Sequence, residues 1–121
     1  MVRSHDDNLD QVFAALANKR RRQIVYTLGL QPASIGQLAE QQGTSLPAIH
    51  RHIKVLEQAK LVRRKKSGRV NFLALDRSRL LLMQDWILQY QAYWGTQEET
   101  LENYIAGIQR HEAKLTKQRG R

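Results

Sequence analysis

A helix stop and a helix start lie only a few residues apart near the middle of the chain. Gly43 can end a helix, because glycine adopts the left-handed backbone conformation at little cost. Thr44 and Ser45 follow, and a hydroxyl there can cap a new helix that has Pro47 in its first turn. This spacing predicts two consecutive helices, at about 34–42 and 46–59, joined by a short turn.

The second helix of this pair has one apolar side. Ile49, Ile53 and Leu56 recur at i, i+4 and i+7, which predicts that this side is buried. The residues off this stripe are available to solvent or to a ligand, and they include His50, Arg51 and Lys54.

Two more helices are predicted before the pair. Apolar residues recur at i, i+3, i+4 and i+7 within residues 9–16, and Asn8 precedes them as an expected cap. Asn18 is expected to cap a second helix at about 19–28. Residues 19–22 of that helix are all cationic, which opposes the positive end of the helix dipole. Two explanations are open, a solvated face or a nearby phosphate backbone.

A β-hairpin is predicted after the helix pair. Residues 61–66 and 69–75 read as two strands around a turn at Ser67 and Gly68. The tip of this hairpin and both of its shoulders are cationic.

The positive charge of the chain is concentrated in this region. The 121 residues carry a formal net charge of +9, and residues 51–69 hold eight basic residues and one acidic residue. Seven of the nine net charges therefore lie in this segment. One cationic face of this kind suits a polyanionic partner.

The C-terminal part is predicted to be helical. An aromatic-rich pattern runs from Asp76 to Trp94, and Gly95 and Thr96 interrupt it. A C-terminal helical extension at about 96–116 and a frayed basic tail at 117–121 are expected to follow. We therefore expect a single domain, 1–121, with its core at about 9–94.

Several classes of protein are not expected. The chain has no cysteine, which excludes disulfides, thiolate zinc sites and cysteine nucleophiles. It offers neither a nucleophile with its base nor paired carboxylates, so we expect no enzyme and no cofactor. The longest apolar run, 80–83, is far shorter than a membrane span, so the expectation is a cytoplasmic protein without a membrane partner.

The order of these elements is that of a winged helix-turn-helix, and the residues resemble the ArsR family of transcriptional regulators. Residues 16–24 (LANKRRRQI) resemble the entry to that family's second helix, and 35–40 (IGQLAE) its support helix. Residues 45–62 resemble its recognition helix and the start of its wing. The expected fold class is mainly α with a small β-hairpin, in which the N-terminal and the long C-terminal helices form a dimer interface.

The sequence also departs from the family pattern. The family's metal sensors carry a cysteine pair on the support helix, or Asp and His ligands on the fifth helix. Residues 34–40 contain no cysteine, and residues 76–94 contain no histidine. The resemblance therefore points to the branch without these metal sites. His50 stands where the family commonly has serine, which alters the expected base preference.

The resemblance implies a sequence-specific DNA-binding regulator, a homodimeric repressor that binds double-stranded DNA at an inverted repeat through a recognition helix (about 46–59) and a basic wing (about 61–75). A small-molecule effector is left open. The alternative is a basic module that binds RNA or chromosomal DNA without sequence preference. The expected DNA-binding residues are Thr44, Ser45, Ala48, His50, Arg51, Lys54, Lys65, Lys66, Arg69 and Arg20. The expected dimer-interface residues are Leu9, Val12, Phe13, Leu16, Leu82, Trp86, Tyr90 and Trp94.

Overall fold

A computed structural model describes residues 2–90 and 97–119 of the chain, with the side chains of residues 6–90 and 98–118. By its internal contacts the chain divides into two compact units, Met1–Trp86 and Ile87–Arg121. In chain order the elements are α1 (Val2–Leu16), α2 (Lys19–Leu30), β1 (Ala33–Ser34), α3 (Ile35–Gln42), α4 (Leu46–Gln58), β2 (Val62–Ser67), β3 (Val70–Leu75), α5 (Ser78–Leu88) and α6 (Gln97–Arg119). This order confirms the predicted fold class.

The core of the first unit is formed by apolar residues from its helices and its sheet. Ile49, Ile53 and Leu56 of α4 are fully buried, as the sequence pattern predicts. They pack in one cluster with residues of the other elements, which include Val12, Ile24, Leu38, Leu61 and Leu73. α4 is thereby held by its apolar side, and its opposite side is left at the surface.

The turn between α3 and α4 is built as the sequence predicts. Ser34 and Gln37 form a reciprocal capping box at the start of α3. Gly43 ends that helix in the left-handed conformation, with φ of 60°. The Ser45 side chain then accepts a hydrogen bond from the backbone N–H of Ala48 and caps α4.

α3 and α4 end in the same backbone motif but use different residues. After α3, the N–H of Thr44 donates to the Ala39 carbonyl, and after α4 the N–H of Leu61 donates to the Leu56 carbonyl. The left-handed position is glycine in the first case. In the second case it is Lys60, with φ of 58°. A side chain with a Cβ is strained in this conformation.

Replacing Lys60 with glycine should therefore stabilise the fold. We expect Lys60→Gly to raise the free energy of unfolding by about 1 kcal/mol, because it removes the strain of a left-handed Cβ. Urea denaturation measures this change. Gly43→Ala is the matched variant at the equivalent position and should lose a similar amount, since only backbone strain is introduced there: a Cβ at Gly43 would meet no atom within 4 Å. A Lys60→Gly variant less stable than the parent chain would contradict this account.

The cationic first turn of α2 caps the end of α1. Arg21 donates from Nε to the Ala15 carbonyl at 2.6 Å and from Nη2 to the Ala14 carbonyl at 3.3 Å. Arg22 donates from Nη1 to the Leu16 carbonyl at 2.8 Å. The last carbonyls of a helix lack partners within the helix, and they carry the negative end of its dipole. These two arginines thus have a structural reason that neither sequence-based explanation included.

The first helix begins earlier than predicted. α1 starts at Val2, so Asn8 lies inside it and does not cap it. The predicted cap of α2 is confirmed, because the Asn18 side chain accepts a hydrogen bond from the N–H of Arg21 at 3.1 Å.

The three strands form one antiparallel sheet in the order β1-β3-β2. The two-residue β1 is an addition to the predicted hairpin, and it pairs Ala33 with Leu73 and Ser34 with Phe72. Gly68 at the hairpin tip has φ of 62°, as the first position of a type II′ turn requires. Leu73 faces the core, whereas Phe72 is 40% exposed on the opposite face.

The C-terminal predictions are corrected in part. The fifth helix, expected to run to about Trp94, ends at Leu88. The last helix runs to Arg119, so residues 117–119 of the expected frayed tail are helical. Trp94 lies outside the described residues.

Candidate nucleic-acid interface

The exposed side of α4 carries most of the residues predicted to read DNA. His50, Arg51 and Lys54 are exposed on the side opposite the buried stripe. Ala48 is half-buried in the first turn, and Ser45 is the exposed N-cap residue. Thr44, in the turn before it, is half-buried. α4 thus presents a short side chain near its start and cations farther along.

The wing carries the second group of cations. Lys65, Lys66 and Arg69 are all exposed. The strand register pairs Lys65 with Phe72 and Lys66 with Asn71. Because successive side chains of a strand point to opposite faces, Lys65 and Lys66 lie on different faces of the sheet. The wing is therefore cationic on both faces and at its tip.

Five of these cations have no acidic partner. In the part of the chain that the structure describes, Arg51, Lys54, Lys65, Lys66 and Arg69 are exposed and make no ion pair. Their positive potential is consequently not neutralised within the chain. An anionic polymer at this surface would gain all five charges.

An ion pair that the sequence analysis missed connects the wing to α4. Arg64 of β2 donates from Nη2 to Oε1 of Glu57 at 2.7 Å, and each side chain is 32% exposed. Glu57 is the single acidic residue in the basic segment 51–69, and this was the available signal. The pair ties the base of the wing to the C-terminal end of α4.

Asp76 closes the other end of the wing. Its Oδ1 accepts hydrogen bonds from the backbone N–H and the hydroxyl of Ser78, at 3.0 and 2.8 Å. These bonds lower the pKa of the Asp76 carboxyl, with a smaller contribution from the guanidinium of Arg63 at 3.9 Å. The carboxylate thus joins the last strand to the start of α5.

Arg20 is already bonded within the chain. Its Nη1 donates to the Gln42 carbonyl at 3.1 Å, and the Gln42 side-chain Nε2 donates back to the Arg20 carbonyl at 2.8 Å. This reciprocal pair holds the start of α2 against the end of α3. Arg20 therefore has an internal role, in contrast to the five unpaired cations.

His52 contacts α2, whereas the sequence favoured a bond to the support helix or a phosphate. Its Nδ1 lies 3.5 Å from Nη1 of Arg21. An arginine can only donate, so Nδ1 accepts and the ring is neutral with its proton on Nε2. Burial lowers the pKa of His52, and the charges of Arg21, Arg20 and Arg51 lower it further.

This environment predicts a loss of stability on acidification. The unfolded chain binds a proton at His52 below a pH of about 6.5, whereas the folded chain resists protonation until a lower pH. The free energy of unfolding should therefore fall as the pH drops through 6.5 towards the lowered pKa of His52. Urea denaturation at pH 7.5 and 5.5 tests this. His52→Gln cannot titrate and should show a smaller decrease, and an equal decrease in both proteins would contradict the assignment.

The residues predicted for the dimer interface divide into two groups. Val12 is fully buried within its own chain, so its assignment to the interface is wrong; it belongs to the core. Leu16 is partly buried and packs against that core. Phe13 and Trp86 contact each other edge to face, with ring centroids 5.3 Å apart. Leu9, Phe13 and Leu82 are half-buried, and Trp86 and Tyr90 are exposed.

Membrane and metal sites were searched over the same ranges. Among residues 2–90 and 97–119, no helix is long and apolar enough to cross a membrane. Across those residues, no three His, Asp or Glu side chains are grouped so that they could hold a metal ion.

Comparisons with known proteins agree with this architecture. Residues 16–65 match a family model described as a helix-turn-helix domain. The crystal structure of the ArsR family transcriptional regulator RHA00566 superposes with a TM-score of 0.68 at 30% identity, covering 74% of this chain and 92% of that one. The fold and the site thus define a winged helix-turn-helix transcriptional regulator.

Two curated relatives extend the comparison. The HTH-type transcriptional regulator Rv2034 of Mycobacterium tuberculosis is 39% identical over 67 residues, which cover 55% of this chain and 63% of that protein. The transcriptional repressor SdpR of Bacillus subtilis is 27% identical over 82 residues, which cover 68% and 91%. The chain spans between half and two thirds of the length of the two M. tuberculosis regulators it matches. The chain belongs to the ArsR family of winged helix-turn-helix regulators.

Proposed function

We propose that this chain is a homodimeric repressor that binds an inverted-repeat operator in double-stranded DNA. The observation that carries the proposal is the set of unpaired cations on α4 and the wing, all exposed: Arg51, Lys54, Lys65, Lys66 and Arg69. Family membership supports the regulatory role. The printed description of SdpR as a repressor supports the direction of regulation.

α4 is the element that would enter the major groove. That groove is about 12 Å wide and admits one helix. With the buried stripe of α4 on the core, its first turn and exposed side face the bases. Ala48 is small enough to contact a thymine methyl group, and Arg51 can donate two hydrogen bonds to a guanine edge. Thr44, Ser45, His50 and Lys54 complete this surface.

The wing would hold the DNA backbone beside α4. Lys65, Lys66 and Arg69 are exposed on a hairpin whose base is fixed to α4 by the Arg64–Glu57 pair. Contacts from such residues go to phosphates, which position a protein but carry no sequence information. Arg20, bonded to Gln42, is the weakest member of the proposed set.

A second copy would complete the function. Leu9, Phe13, Leu82, Trp86 and Tyr90 remain partly or largely exposed, and an apolar surface of this kind suits a subunit interface. Trp94 stays in the proposed interface on sequence grounds. Two-fold symmetry then places the recognition helices about 34–36 Å apart, at successive major grooves.

Selection of bound fragments from genomic DNA tests this proposal. The repressor predicts recovery of a palindromic sequence whose half-sites are one helical turn apart. Bound fragments without a shared motif at moderate salt would contradict it, and would favour a basic module that binds nucleic acid without sequence preference. Transcription from a promoter containing the recovered site should fall when the protein is added.

Two single substitutions separate base reading from phosphate binding. Arg51→Ala should weaken binding to the selected site by on the order of 1–3 kcal/mol and leave binding to random DNA less affected. Lys65→Ala should weaken both by similar factors, because phosphates are the same in every sequence. Titration of each variant against both DNAs by fluorescence anisotropy measures this. Equal losses on the two DNAs for Arg51→Ala would contradict its role in base reading.

A further inference from the structure

α6 carries an exposed apolar stripe. Leu101, Tyr104, Ile105, Ile108 and Leu115 recur at i, i+3, i+4, i+7 and i+14, and they are between 41% and 67% exposed. These positions share one side of a helix. A helix gains most of its stability by packing such a stripe against another surface. A covering partner is therefore expected for α6.

The charge of α6 changes sign along its length. Residues 97–107 contain three acidic residues and no basic residue, whereas residues 109–119 contain four basic residues and one acidic residue. Two such helices lying parallel would place acidic half against acidic half. Two lying antiparallel would place each acidic half against a basic half, which is attractive along the whole length.

We propose that the stripe of α6 packs against the same stripe of α6 from a second copy, with the two helices antiparallel. The apolar positions are symmetric about Ile108, since Leu101 precedes it by seven residues and Leu115 follows it by seven. An antiparallel pair centred near Ile108 brings Leu101 of one copy to Leu115 of the other. This inference rests on the homodimer of the proposed function and adds an interface outside the winged helix-turn-helix.

Cysteine cross-linking tests the pairing and its direction, because the chain has no cysteine of its own. Leu101→Cys and Leu115→Cys are prepared as separate full-length proteins and treated with a short bis-maleimide. The antiparallel pair places two copies of residue 101 about 21 Å apart along the helix axis, at 1.5 Å per residue. An equal mixture of the two proteins should therefore cross-link roughly tenfold faster than either protein alone.

Matched controls lie on the other side of the same helix. Asn103 and Ala113 are both exposed, are symmetric about Ile108 and lie away from the stripe. A mixture of Asn103→Cys and Ala113→Cys should not cross-link above background. Fast cross-linking of Leu101→Cys alone would indicate parallel helices and overturn the proposal. Slow cross-linking of every sample would indicate that another surface, such as the rest of the same chain, covers the stripe, and would also overturn it.

Charge reversal gives an independent readout. Glu98→Lys with Glu102→Lys makes both halves of α6 basic, and Lys114→Glu with Lys117→Glu makes both halves acidic. Each double variant alone should dimerise roughly threefold to tenfold more weakly at low salt, as measured by sedimentation. Mixing the two variants should restore dimerisation, and a mixture no stronger than either variant would overturn the proposal. If cross-linking and charge reversal both fail while the chain still binds a palindrome as a dimer, the proposed function stands and the α6 pairing does not.

Discussion

Raising the salt concentration from about 50 to about 200 mM should weaken DNA binding by this protein by roughly 10³- to 10⁵-fold. The proposed surface presents five exposed cations per chain that have no acidic partner among the described residues. A dimer would therefore neutralise on the order of ten phosphates. The logarithm of the binding constant falls by about 0.9 per neutralised phosphate for each tenfold rise in salt. Fluorescence anisotropy across a salt series measures the slope.

Variants localise that slope. Lys65→Ala removes one phosphate contact from each copy, so the dimer's slope should become shallower by about two. Arg110→Ala removes the same charge from α6, on the side away from the apolar stripe, and should leave the slope unchanged. A nearly flat salt dependence of the parent chain would contradict the placement of the DNA on this surface. Equal slopes for Lys65→Ala and the parent would remove the wing from it.

The second large effect concerns stability. Arg21→Ala should lower the free energy of unfolding by about 2–3 kcal/mol, because it removes a cation that bonds the carbonyls of Ala14 and Ala15. It also removes the donor facing His52. Lysine cannot reproduce the planar fork of the guanidinium, so Arg21→Lys should recover only part of the loss. Urea denaturation of the three proteins measures the differences.

The control for this effect lies one residue away. Arg22 makes one hydrogen bond to the Leu16 carbonyl from an exposed position, so Arg22→Ala should cost about 1 kcal/mol or less. The two arginines also decide between roles. If Arg21→Ala leaves stability unchanged but weakens DNA binding, the cationic start of α2 binds phosphate and does not serve to cap α1.

The centre of the fold was readable from sequence because its signals are local. Ser34, Gly43 and Ser45 act within a few residues of their own positions, and the apolar period of α4 selects its buried side directly. The start of α1 was misplaced because Asn8 is a competent cap, yet the residues before it also adopt helical geometry. A residue that can begin a helix does not prevent one from beginning earlier.

Other features depend on partners that are distant in the chain. The role of Arg21 was missed because its acceptors are backbone carbonyls, which have no signature in the side-chain pattern. Val12 was assigned to the interface because its helical period equals that of Phe13, and only the packing of α2 and α4 separates a core side chain from an exposed one. β1 was missed because two residues are too few to show alternation, and its pairing with β3 is long-range.

The reciprocal bonds between Arg20 and Gln42 have a consequence for regulation. They fasten α2 to the end of α3, just before the turn that begins α4, and the buried stripe of α4 is packed into the same core. α4 is thus not hinged independently of its neighbours. A signal that lowers operator affinity should leave each reading head intact and change the spacing or tilt between the two heads of the proposed dimer. Induction would then be a property of the pair, carried by the helices that join the copies.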